Sequence, residues 1–215
     1  MNPASSSTST HHLRRAAHMA LVAGAALSTV LTMLNAAPAA ATTARTGTPS
    51  TCRRQAEQVV GEFRPTSLSS RHVIGATRIL ARGRDAHGVP LPPPLTNTGK
   101  WEFAWDQKSH IGPGSRHGVV RLTAHTYPNF AGTALGNRLL ARLRVGQVLV
   151  VSGTQGRQLC YRVTRRVSVR ANKSQSAYYA TGGAPRLAIL VCSGRRRGPG
   201  DWTRRTIWFA SPITQ

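Results

Sequence analysis

The chain has 215 residues, 29 Lys+Arg against 6 Asp+Glu, and a formal net charge of +23. That length, less a non-globular start, holds one ordinary domain rather than two, and such a domain can bury a core without relying on staples. The charge favours polyanions, namely nucleic acid, anionic lipid headgroups or the phosphate-bearing polymers of a bacterial wall, although a solvated arginine-rich surface explains it equally well.

The first fifteen residues are Ser/Thr-rich and end in Leu13-Arg14-Arg15. Ala16 to Ala37 is then mainly apolar and carries no Asp, Glu, Lys or Arg. About 20 such residues span a bilayer as a helix, and the basic flank keeps that end inside. Ala37-Pro38-Ala39-Ala40-Ala41 also suits a signal-peptidase site. The sequence predicts export either way, as a single-pass protein on the outer face of the membrane or as a secreted one. Export permits disulfides, and the three cysteines (Cys52, Cys160, Cys192) leave an odd thiol.

The expected organisation is a tail over 1–15, an apolar helix over 16–37, a linker and short helix over 38–65, and one domain over 66–215. The short helix would run from Cys52 to Phe63. A strand is expected from His72 to Leu80, then turns at Gly83 and Gly88. Pro90-Leu91-Pro92-Pro93-Pro94 must be extended loop or edge, since proline cannot donate to a ladder. A short aromatic segment covers Trp101 to Trp105. Gly112-Pro113-Gly114 turns the chain into a strand over Val119–Ala124.

Leu135, Leu139, Leu140 and Leu143 fall at helical spacing, predicting a short helix over about 134–143. Gln147 to Ser152 and Gln158 to Val169 read as a hairpin. Arg170 to Pro185 is polar and Gly-rich, hence loop. Leu187 to Cys192 and Thr206 to Ala210 are the closing strands, separated by a basic loop over 193–200. Many short strands with few helices predict a mainly β fold, barrel or sandwich.

Chemistry concentrates at strand ends. Cys192 closes one apolar run, His125 follows another, and Arg205 opens a third. Thiol, imidazole and guanidinium so placed can supply a nucleophile, its proton partner and an oxyanion stabiliser. A lone cysteine is commonly a buried core residue. The arginines after Cys192 argue for the thiolate instead. The other histidines have no such setting.

The region from about His72 to Pro212 resembles the sortases, cysteine transpeptidases of Gram-positive cell surfaces. Leu122-Thr123-Ala124-His125-Thr126-Tyr127-Pro128 is similar to that family's histidine block. Gly136 to Gln147 is similar to the helix and turn that follow it. Ala188-Ile189-Leu190-Val191-Cys192 and Trp202 to Ala210 are similar to its cysteine and arginine strands. The short closing sequence and apolar start are most like the actinobacterial class F branch. Ala188 and Val191 stand where the family usually has Thr, and Ala124 where it has Gly.

The resemblance implies an eight-stranded β-barrel with Cys192, His125 and Arg205 as catalytic residues. It implies cleavage of an LPxTG-like sorting motif (Leu-Pro-x-Thr-Gly) between Thr and Gly through a Cys192 thioester. The acyl group would pass to an amine on a cell-wall precursor. A substrate pocket is expected at the 170–185 loop, with no particular residue selected. If Cys192 is the working thiol, Cys52 and Cys160 are the only intramolecular pair left. The six acids are scattered, so no metal or other cofactor is expected. No zinc-finger spacing or aromatic-basic stacking motif points to nucleic acid, and a monomer is expected. The competing reading is a non-enzymatic exported cationic module that binds anionic wall polymers. A second, an exported cysteine transpeptidase acting on peptidoglycan peptides, would carry His and Cys close together in one motif.

Overall fold

The computed structural model describes Cys52, residues 61–128 and residues 133–213. The expected tail and apolar helix lie outside these residues, as does most of the expected 52–63 helix. Eight strands close into a barrel in the order β1-β2-β3-β4-β7-β8-β6-β5. They are β1 (Pro65–Ser70), β2 (Ile74–Arg82), β3 (Phe103–Asp106), β4 (Val119–Ala124), β5 (Val148–Gly153), β6 (Gln158–Arg170), β7 (Arg186–Gly198) and β8 (Asp201–Pro212). Two helices interrupt them, α1 (Leu135–Arg142) and the one-turn α2 (Ser176–Tyr179). Among the described residues no helix is long and apolar enough to cross a membrane.

Two strand pairs run parallel, β2 with β3 and β4 with β7. A parallel pair cannot be joined by a tight turn, so each needs a long crossover. Residues 83–102 cross from β2 to β3 and contain the proline-rich stretch. The crossover from β4 to β7 carries α1, the β5–β6 hairpin and α2.

Strand alternation separates two cores. Val120, Leu122, Leu187, Ile189, Val191 and Trp208 point into the barrel. Val119, Ala188, Ile207 and Phe209 point outward and are covered by Tyr178 of α2. Each Val, Leu, Ile or Phe side chain among them contributes on the order of 1.5–3 kcal/mol when withdrawn from water. This double cover explains why Leu187–Val191 is an unbroken apolar run. In α1, Leu135 and Leu139 fall on one face and are fully buried. Past its end Leu143 is buried too, and the chain turns at Gly146 with φ 90°.

The structure departs from the expected organisation at three places. The 193–200 stretch is not an open loop: β7 continues to Gly198, and Ser193, Arg196 and Gly198 pair with Arg204, Trp202 and Asp201 of β8. Backbone pairing needs no apolar side chains, so arginines continue the ladder, with an irregularity at Gly194 (φ 77°). β1 forms where no strand is expected, because Pro-Thr-Ser-Leu-Ser-Ser has Leu68 as its one large buried apolar side chain and so shows no apolar run. Within the 170–185 loop, Ser176–Tyr179 forms a helical turn.

Cys52 and Cys160 form a disulfide 108 positions apart. It ties the segment before β1 to β6. In the chain-entropy view a loop of that length stabilises the fold by roughly 4–5 kcal/mol.

Candidate active site

β7 lies between β4 and β8, and its register sets the site. Cys192 is the direct cross-strand partner of Arg205. On the other side Ala124 pairs with Val191, so His125, the next residue, leaves β4 beside Cys192. Thr126 seals this junction by donating Oγ1–H to the Cys192 carbonyl at 2.7 Å. Alternation puts Thr123, His125, Leu190, Cys192, Arg205 and Ile207 on the outer face of the wall. The three expected site residues therefore share one face and one rim.

Arg204 pairs with Ser193, and its guanidinium donates to Ser168 Oγ at 2.7 Å and to the Ser168 carbonyl at 2.8 Å. It turns away from the face that Arg205 occupies, as alternation requires. Val191 points into the barrel, away from the face that Cys192 occupies.

Cys192 is a free, half-buried thiol. Burial pushes its pKa up, and the positive charge of Arg205 opposes that shift. The neutral thiol therefore predominates near pH 7, and Arg205 is the group that holds the thiolate within reach. Arg205 is tethered to its own strand, donating from Nη1 to the Arg204 carbonyl at 3.1 Å. No hydrogen bond joins the thiol to the His125 ring. His125 Nε2 instead lies 2.7 Å from the carbonyl oxygen of Pro93. Such pairs are often loose before substrate arrives.

His125 lies past the end of its strand, where a ladder cannot hold it, and α1 takes over. Gly136 N–H donates to the His125 carbonyl at 2.7 Å. A Cβ at Gly136 would collide with that carbonyl and with Thr126 Oγ1, so this position must be glycine. Asn137 Oδ1 accepts the Tyr127 N–H at 2.9 Å, and its Nδ2 donates to the Tyr127 carbonyl at 2.8 Å. The helix start is shaped to receive the histidine turn.

Below Arg205 a groove of about 590 Å³ opens on the same face. Thr123, Leu190 and Ile207 form its floor, and Asn172, Lys173 and Tyr179 of the β6–β7 crossover form one wall. His87 stands at its margin, and nothing in its sequence neighbourhood singles it out. The lining contains no acid.

Arg121 holds that wall. It is buried at 2% exposure, and Nη1 donates to the equally buried Asp106 at 2.9 Å. Nε donates to the Tyr178 carbonyl at 3.1 Å, and Nη2 to that of Tyr179 at 2.7 Å. Arg84 donates to the same carboxylate at 2.7 Å. Sequence reasoning passed over Arg121, yet a charged residue inside the apolar run Val119–Ala124 was a usable signal. Among the described residues no three His, Cys, Asp or Glu side chains cluster to hold a metal ion.

No protein-family model matches the chain, and a search of curated proteins finds no match. Solved structures do match. Sortase C-1 from Actinomyces oris aligns with a TM-score of 0.51 at 16% identity, over 79% of this chain and 84% of that one. A lid mutant of sortase A from Corynebacterium diphtheriae aligns with a TM-score of 0.51 at 14% identity, over 77% and 78%. Sortase C1 from Streptococcus suis gives 0.51 at 14%, over 72% and 75%. At these identities the likeness is one of fold: the chain has the eight-stranded sortase barrel.

Proposed function

We propose that the chain is a sortase-type cysteine transpeptidase, with Cys192 as nucleophile, His125 as proton carrier and Arg205 as anion stabiliser. The observation that carries this reading is the register. Cys192 faces Arg205 across β7 and β8, His125 emerges beside it from β4, and a peptide-sized groove opens on the same face. A thiol buried only for packing would not need a cation opposite it. The class F resemblance belongs to the same proposal.

In the reaction, Cys192 gives its proton to His125 and its sulfur bonds to the carbonyl carbon of the scissile Thr–Gly peptide. Arg205 donates to the negative oxygen that develops, or to the adjoining peptide backbone. His125 then protonates the departing amine, the C–N bond breaks, and a thioester on Cys192 remains. An acceptor amine attacks the thioester, His125 takes its proton, and sulfur leaves as thiolate. The acceptor is read as an amine of a cell-wall precursor and the donor as an LPxTG-like motif on a surface protein. Catalysis on the outer face of the membrane, anchored or secreted, completes the proposal.

Intact mass of the full chain after mixing with a Leu-Pro-x-Thr-Gly peptide tests it. A peptide adduct on Cys192 that hydroxylamine removes is expected. An unchanged mass across motif variants, with polyanion binding intact, favours the cationic binding module instead.

A further inference from the structure

Histidines that shuttle protons are commonly oriented by a third group on the far ring nitrogen, often a carboxylate. The described acids are engaged elsewhere. Asp106 holds Arg84 and Arg121, Glu102 holds Arg78, and Asp201 holds Arg197. Glu62 accepts from Gly112 N–H, and Asp85 accepts from the N–H groups of His87 and Val89. What does meet the ring is the Pro93 carbonyl, 2.7 Å from Nε2.

We propose that the backbone carbonyl of Pro93 is the orienting group of His125, fixing the neutral ring as the Nε2–H tautomer and reserving Nδ1 for the travelling proton. A carbonyl only accepts, so the nitrogen facing it must donate. When the ring is neutral, Nδ1 is then the sole ring nitrogen with a free lone pair. When the ring is protonated, Nε2–H still donates to Pro93. The same bond serves both states, and the imidazole can take up and release a proton without turning.

The residues around Pro93 suit this task. Pro93 is itself buried, and prolines on both sides restrict its backbone. The strap is anchored before it by Leu91 N–H to the Gly83 carbonyl at 3.0 Å and by pairing of Arg84 with Pro90. After it, Thr96 N–H donates to the Pro94 carbonyl at 2.9 Å, and Gly99 N–H donates to Thr96 Oγ1 at 2.9 Å. Gly99 packs so closely beneath the strap that a Cβ there would overlap the Pro94 carbonyl. The chain then reaches Trp101, over which Arg138 of α1 stacks at 5.2 Å. Strap and α1 thus grip His125 from its ring and from its main chain.

The catalytic consequence rests on the transpeptidase reading, but the tautomer does not. Nitrogen-15 NMR of the full chain with labelled histidine, without substrate and with the ring neutral, reads it directly. His125 is expected to show a pyrrole-type Nε2 and a pyridine-type Nδ1. An Nδ1–H tautomer, or averaging between the two, overturns the proposal whether or not the protein transfers peptides. Gly99→Ala displaces the strap without touching His125 and is expected to move the spectrum toward averaging. Thr96→Val, a milder change, should do so partially. In the acyl-transfer assay Gly99→Ala should lower kcat by about tenfold or more, with KM little altered. A rise in kcat would instead make the strap an inhibitory lid and sink the orienting role.

Discussion

Two parts of the site are held by different means. Cys192 and Arg205 sit on adjacent strands, where the β7–β8 ladder fixes them as it fixes their neighbours. His125 and the groove wall stand beyond the sheet and rest on scattered contacts rather than a ladder, chiefly those of Gly136 and Pro93 with the histidine and of Arg121 with the wall. The sheet side tolerates substitution as long as pairing persists. The loop side has few contacts to lose, and each matters more.

Experiments can break that contrast. Cys192→Ala should abolish the peptide adduct completely while thermal unfolding stays near the parent, since the ladder does not need the sulfur. An adduct that persists would remove Cys192 from its role. Arg121→Ala should come next. It leaves Asp106 charged and buried with only Arg84 beside it, a change expected to cost about 3–5 kcal/mol. Chemical denaturation measures this. A loss under 1 kcal/mol would show that the wall is held otherwise.

Arg205→Ala should lower kcat/KM by roughly 100-fold with little change in stability. It should also shift the pH dependence of alkylation. Burial already holds the Cys192 pKa above the usual thiol value of about 8.5, and Arg205 restrains that rise. Without the cation the thiolate is less favoured, so the midpoint for iodoacetamide should move to higher pH and the rate at neutral pH should fall. A downward shift would contradict the electrostatic role. Arg204→Ala, one residue away on the opposite face, should change stability by about 0.5 kcal/mol or less and leave the alkylation profile in place. Equal effects at 204 and 205 would erase the distinction between the two faces.

Legibility in the sequence follows the same division. Val119–Ala124, Leu187–Cys192 and the 147–169 hairpin could be read because buried strands advertise themselves by apolar runs and bounding glycines. The expected barrel is there, and Cys192, His125 and Arg205 lie together on one rim. The arginine-rich arms of the β7–β8 hairpin and the polar β1 could not be read that way, because backbone pairing leaves no mark on side-chain composition. The Pro93 contact was hidden for a related reason. It uses a main-chain carbonyl, which every residue possesses, and only the path of the crossover aims it. Arg121 could have been noticed, but its partners Tyr178 and Tyr179 contribute carbonyls from 57 positions away or more.

β8 has a further consequence. It pairs with β6 along one edge and β7 along the other, so one segment shuts the cylinder and delivers Arg205. During synthesis the hairpin pairing that sets Arg205 opposite Cys192 is local, whereas the pairing with β6 that shuts the cylinder waits until residue 212 is released and, being more distant along the chain, forms more slowly. A protein cut short before that segment would keep the sulfur of Cys192 but lack the cation opposite it.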